Sequence, residues 1–144
     1  MIGSNCCLSG DAGKLLLRLT IGGLMLFHGV NKLTSGIEGV TAMVTAQGMP
    51  PAVAYGVYVG EVLAPLLVVI GLFTRLSAAV MAFNMVVATL LAHPGDLLKL
   101  NEYGGWAVEL QALYLFGAAS IALLGAGHWS VDAAKSGKAA ASDD

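Results

Sequence analysis

Four apolar segments, each about as long as a bilayer is thick, fill most of this chain, and each encloses a polar or charged residue. They run over 15–33, 52–73, 76–93 and 106–126. A membrane-crossing helix needs roughly 20 mainly apolar residues, and these segments reach that length or come within two of it. The enclosed groups are Arg18 and His28 in the first, Glu61 in the second, Asn84 in the third and Glu109 in the fourth. Ionisable groups cost several kcal/mol in hydrocarbon, so they are expected to face a bundle interior or a wet cavity. The expected fold is all-α, a transmembrane four-helix bundle.

Composition agrees. Apolar residues make up 57% and charged residues 11%, a balance that a water-soluble domain of 144 residues would hardly tolerate. Nothing interleaves aromatic and basic residues as nucleic-acid binding requires. The organisation read from the pattern is an N-terminal tail over 1–14, a membrane domain over 15–132 and an unstructured tail over 133–144. The stretch before the first span lacks the basic n-region of a secretory signal, and no small-residue cleavage site follows Leu33 before polar sequence, so the first helix is expected in the mature protein. Cys6 and Cys7 precede the first span, without the CxxC or Cys/His spacing of a metal or redox site.

The connections differ in kind. Between the first two spans, Ile37, Val40 and Val44 share one face of a helical pattern, which predicts a short helix lying in the interface. Thr74 and Arg75 alone separate the second and third spans, which predicts a tight antiparallel hairpin. Lys14, Arg18, Arg75, Lys135 and Lys138 then fall on one side, with Lys32 and Lys99 on the other. The excess places both termini in the cytoplasm of a bacterial inner membrane.

At 1.5 Å per residue this orientation puts Glu61 about 14 Å below the outer surface, near the midplane. His28, Asn31, Lys32, Glu61, Asn84, His93 and Glu109 then gather in the outer half, and Arg18, Arg75 and Asp132 at the inner edge. Tyr55, Tyr58, Glu61 and Pro65 follow helical spacing on one stripe. Pro65 has no N–H for the Glu61 carbonyl, so a kink is expected at the acid. Met81, Asn84, Met85 and Ala88 form a similar stripe on the third helix, and Leu24, His28 and Asn31 on the first. Gly22, Gly23, Gly29, Gly117, Ala118 and Ala119 suit close backbone packing.

Each polar residue has two readings. Glu61 is either a protonated acid bonded to Tyr58 or Asn84, or a proton acceptor beside His28. Glu109 either pairs with Lys32 or Lys99 at the outer rim or serves a ligand. Arg18 either snorkels to headgroups or pairs with Asp132. Met25, His28, Met81, Met85 and His93 are soft or borderline donors, but methionines at helical spacing are read as packing, and no metal site is expected.

The string RLTIGGLMLFHGVNK from Arg18 to Lys32 carries a resemblance. So do Gly48-Met49-Pro50, Glu61 ahead of Gly71-Leu72-Phe73-Thr74-Arg75, the helix 78–93, Glu109, and the closing run from Gly125 to Asp132. In order and spacing these pieces resemble the DoxX family of small bacterial membrane proteins, over roughly 15–132. The resemblance implies a link to quinone-coupled oxidation, because one relative is similar to a membrane subunit of a thiosulfate:quinone oxidoreductase. Other members resemble components of membrane oxidoreductase complexes that act in oxidative or thiol stress.

Three functions follow as expectations. In the first, the chain is a membrane subunit that binds a quinone or small apolar ligand through His28, Asn31, Tyr58, Glu61, Asn84 and Glu109 and supports an oxidoreductase, without a redox centre of its own. In the second it is a non-catalytic anchor or assembly protein whose polar groups pair off and leave no cavity. In the third it is a small proton-linked carrier. The partners expected are the lipid bilayer, a soluble or membrane oxidoreductase, and a second copy of the chain.

Overall fold

The computed structural model describes residues 3–140, with side chains from Gly10 to Gly137. Helix α1 runs over Gly3–Ser35, α2 over Glu38–Ala46 and α3 over Pro51–Ile70. Helices α4, α5 and α6 follow at Thr74–Ala92, Glu109–Leu124 and Val131–Ala140. Three of them, α1 from Gly10, α3 and α4, are long and apolar enough to cross a membrane. α5 is shorter, at 16 residues, or about 24 Å. The four pack in a ring, α1 on α3, α3 on α4, α4 on α5 and α5 back on α1. Met25, Val68, Met81, Met85, Ala118 and Ile121 fill the middle. This is an all-α bundle of the expected class.

The elements begin and end where local chemistry dictates. α2 is the short helix foreseen between the first two spans, with Val44 buried beneath it. α3 stops three residues before the predicted end because Gly71 takes the left-handed conformation (φ 75°), and the Gly71 and Leu72 amides bond back to the Leu67 carbonyl at 2.9 Å. The hairpin is therefore Gly71-Leu72-Phe73, not Thr74-Arg75. α5 starts three residues later than its apolar run suggests. Leu100 and Trp106 bridge across a small hairpin, and the Asn101 side chain accepts the Tyr103 and Gly105 amides at 3.0 and 2.9 Å. At the N-terminus, helix replaces the expected tail from Gly3 onward, and Cys6 and Cys7 fall in a stretch whose side chains lie outside the described residues. At the other end, the alanine-rich run from Val131 to Ala140 is helical where an unstructured tail was expected, while 141–144 lie outside the described residues.

Two anchors lock the end of the bundle that carries the hairpin. Arg18 is 1% exposed, and its guanidinium donates to four carbonyls: Val68 at 2.9 Å, Val69 at 2.9 Å, Ala126 at 2.7 Å and Trp129 at 2.9 Å. Two of these belong to the last turn of α3, which carries the negative end of the helix dipole; of the two, only Val68 keeps a backbone donor, the Gly71 amide at 3.2 Å. Arg18 thus neither snorkels nor hydrogen-bonds to Asp132. That carboxylate instead accepts the Phe73 amide and both the amide and hydroxyl of Thr74, each at 2.9 Å, and so caps α4.

Burial alone would raise the Asp132 carboxyl, but the bonds from Thr74 and Phe73, helped by Lys135, outweigh it and hold it below the usual carboxylate range. A depressed acid stabilises the fold above its unfolded value of about 4 and withdraws that support as pH falls through the folded value. Thermal unfolding in detergent from pH 6 to pH 3 is expected to show a loss of stability in the wild type below about pH 4. Asp132→Asn is expected to be less stable at pH 6 and to lose less on acidification. An identical acid slope in both proteins would remove this cap from the account.

Candidate functional site

The face that α1 turns inward is Arg18, Gly22, Met25, Gly29 and Lys32, not the Leu24–His28–Asn31 stripe. Met25 is buried and Leu24 half exposed. Glycine decides this register. A Cβ on Gly29 would run into the Glu61 carbonyl, and one on Gly22 would sit 2.9 Å from Val69 and 3.1 Å from the Pro65 carbonyl. α1 and α3 therefore meet backbone to backbone, as small-residue helix pairs in membranes do.

That contact falls where α3 is irregular. The helix opens as a 3₁₀ turn over Pro51–Tyr55 and widens to π geometry over Val59–Leu63 before resuming as α at Ala64. The Ala64 amide reaches back five residues to the Val59 carbonyl. The Gly60 carbonyl thereby loses its ordinary donor, and the next residue in line is Pro65, which has none. The expected disturbance at Glu61 is thus a π segment, a feature frequent at functional sites. It also shifts the helical phase, which explains why Tyr55 points outward, 64% exposed, while Glu61 and Pro65 remain buried.

Glu61 is 5% exposed. Its Oε2 accepts a hydrogen bond and ion pair from Lys32 Nζ, one turn beyond His28 on α1. The Tyr58 hydroxyl donates to the Lys32 backbone carbonyl at 3.3 Å, steadying that end of α1. The acid therefore pairs with lysine and with neither Tyr58 nor Asn84. Asn84 packs against the bare α-carbon of Gly60, and its buried Nδ2 has no partner.

Beside the ion pair lies a cavity of about 150 Å³. Met25, Met85, Ala88 and Leu110 make its apolar wall, and His28, Glu61, Gln111 and Tyr114 its polar one. The His28 ring meets Tyr114 edge-on, with centroids 5.6 Å apart at 89°. Among the described residues, the His28 ring, the Gln111 amide, the Tyr114 hydroxyl and Glu61 Oε1 make no hydrogen bond, which leaves four unspent polar groups around one hollow. A second hollow of about 160 Å³, between α4, α5 and the loop before α5, is lined almost wholly by carbon. Its one hydroxyl, on Thr89, already donates to the Met85 carbonyl at 2.7 Å.

Of the residues proposed from sequence, His28 and Glu61 line the cavity; Tyr58 does not, and bonds only to the Lys32 carbonyl. Asn31, Asn84 and Glu109 do not reach the cavity. Asn31 lies on the exposed side of α1, its Oδ1 3.4 Å from the Ser35 hydroxyl. Glu109 is exposed at the start of α5, folded over Gly105. It makes no ion pair among the described residues, because Lys32 is held by Glu61 and Lys99 by Asp96 at 3.0 Å. Met25, Met85, Ala88, Leu110, Gln111 and Tyr114 line the cavity without having been proposed as site residues from sequence. Gln111 and Tyr114 stand three apart on α5, a spacing that could have marked them.

A bundle of apolar, membrane-length helices with a buried ion pair and a hollow opening beside it, edged by the exposed His28 and Leu110, defines a small multi-pass membrane protein. The chain belongs to the DoxX family, whose model matches residues 13–94. That segment carries Arg18, His28, Lys32, Glu61 and Asn84; the α5 side of the cavity lies beyond it. Over 124 residues the chain is 29% identical to the Bacillus subtilis (strain 168) protein named "Putative oxidoreductase CatD", covering 86% of this chain and 87% of that protein. No solved structure matches the chain.

Proposed function

We infer that this DoxX protein is a membrane subunit that holds the ring of a quinone or similar small apolar ligand between α1, α3, α4 and α5 and supports an oxidoreductase in the bacterial cytoplasmic membrane. The cavity beside Glu61 carries this reading. In another protein, an apolar hollow of roughly 150 Å³ takes up one benzene molecule, so the space fits a single ring. Three of the unspent groups, on His28, Gln111 and Tyr114, can donate to ring oxygens, and a ligand pocket is mostly apolar with a few placed polar contacts. The relative named as an oxidoreductase adds support for a redox setting. The charge bias of the loops puts the termini, Arg18 and Arg75 in the cytoplasm and the cavity toward the opposite face.

A bound quinone would supply two-electron, two-proton chemistry. The chain itself binds and orients. Met25, Met85 and Leu110 give the ring an apolar wall, Tyr114 packs edge-on against the His28 ring, and Lys32 holds the Glu61 carboxylate in place. His28 and Glu61 are the groups placed to accept or hand on a proton at the cavity wall.

Native mass spectrometry with lipid and quinone extraction tests this on gently solubilised wild type beside His28→Ala and Glu61→Gln. A co-purifying ring compound is expected in the wild type and reduced about tenfold in His28→Ala, the effect of one lost hydrogen bond, while Glu61→Gln, whose amide can still bond the ring, is expected to lose less. No such compound in any sample, with variants that are merely less stable, would leave a non-catalytic anchor for redox enzymes.

A further inference from the structure

Three of the four polar groups in the cavity can be read either way by a ligand. A neutral imidazole, a carboxamide and a phenol each offer both a donor and an acceptor. Glu61 is the exception. Its Oε2 is committed to Lys32, and wherever the shared proton of that pair rests, it lies on the Lys32 side of the carboxyl group. Oε1 is left with lone pairs only. Oε1 opens onto the cavity and is not sealed inside the protein, so a ring seated there is what cuts this acceptor off from water.

We propose that the Lys32–Glu61 pair makes this cavity selective for hydroxylated aromatic rings, so that it holds the reduced, quinol form of its ligand in preference to the oxidised quinone. The inference rests on the reading of the cavity as a ring site. A phenolic O–H set against Glu61 Oε1 completes the acceptor with a charge-assisted bond. A quinone carbonyl or an ether oxygen in the same place sets lone pair against lone pair and leaves a buried acceptor unpaired, the situation in which hydrogen-bonding sites reject isosteres most strongly. His28, Gln111 and Tyr114 adjust to whatever the ring presents elsewhere. Lys32 is then a positioning residue: it touches Glu61, does not line the cavity, and fixes which way the carboxyl group can bond.

The pair para-methoxyphenol and para-dimethoxybenzene isolates the hydroxyl without redox chemistry. Binding of each to the full chain in detergent is measured by titration calorimetry, with empty micelles as the blank. The wild type is expected to prefer the phenol by about tenfold, the equivalent of one hydrogen bond. Gln111→Leu is expected to weaken both ligands and keep the ratio, and Glu61→Gln, whose amide can donate as well as accept, to bring the ratio near one. Equal affinities in the wild type would overturn the selectivity and leave the ring site standing. A folded Glu61→Gln protein with an unchanged ratio would overturn the role of Glu61. Binding of neither compound above the micelle blank would overturn the selectivity and the ring site together. The wild-type ratio decides the matter even if Glu61→Gln does not fold.

Discussion

Arg18→Met will cost about 3–5 kcal/mol of stability, because several buried carbonyls lose their donor at about 1–3 kcal/mol each. Methionine matches the length and apolarity of the arginine stem, so packing along α1 changes little. The loss comes from the carbonyls of Val68, Val69, Ala126 and Trp129, to which one guanidinium now donates. Those four acceptors lie in two separate segments, and no single water or rearranged side chain could serve them all. Arg18→Lys is expected to recover less than half of the loss, because an ammonium is a point charge with three donors and cannot span the planar fork. Unfolding in mild detergent, followed by circular dichroism as sodium dodecyl sulfate is added, gives the readout. A midpoint for Arg18→Met indistinguishable from wild type would mean that the carbonyls find water and that the lock is dispensable.

Arg18 also illustrates what a sequence conveys about a membrane bundle. Its presence in an apolar span was legible, and so was the need for a partner, since a charge in hydrocarbon must be answered. The partner was not legible, because backbone carbonyls leave no trace in residue identity. Two of them lie in the last turn of α3, whose end is set by Gly71 in left-handed geometry. The same reasoning covers the spans. Three reached membrane length by hydropathy and did so in the structure. The fourth was read too long because Trp106, Ala107 and Val108 are apolar yet belong to the hairpin before α5, where the Ala107 amide bonds to the Lys99 carbonyl at 3.0 Å.

The candidate site was half visible for a related reason. Hydropathy periodicity finds helix faces by their side chains, and the inner face of α1 is written in glycines. Gly22 and Gly29 bring α3 against the α1 backbone, which turns Lys32 onto Glu61 and leaves His28 at the cavity edge. Pro65 gave notice of an irregularity at Glu61, but not that it would take π form. The phase shift that follows turned Tyr55 away from a stripe that looked continuous. Asn84 shows the reverse case. Its stripe was inward as read, yet the residue opposite is Gly60, so the amide meets bare backbone instead of the acid one position further on.

Lys32→Met will destabilise the protein more than Glu61→Gln, and the two together will be closer to wild type than Lys32→Met alone. The asymmetry follows from burial. The Glu61 side chain is 6% exposed and that of Lys32 24%, so removal of the lysine strands a carboxyl group in the interior, at about 3–5 kcal/mol. Removal of the acid leaves a long, flexible ammonium that can turn toward the headgroups. The double variant buries a neutral amide and a thioether, and such replacements of buried ion pairs are often neutral in stability. A double-mutant cycle in detergent measures the coupling, and strictly additive losses would mean that the two residues do not act as a pair. If the double variant is as stable as wild type but binds the phenol and its ether equally, then the pair is dispensable for folding. Its place in the interior would rest on what it does to the ligand.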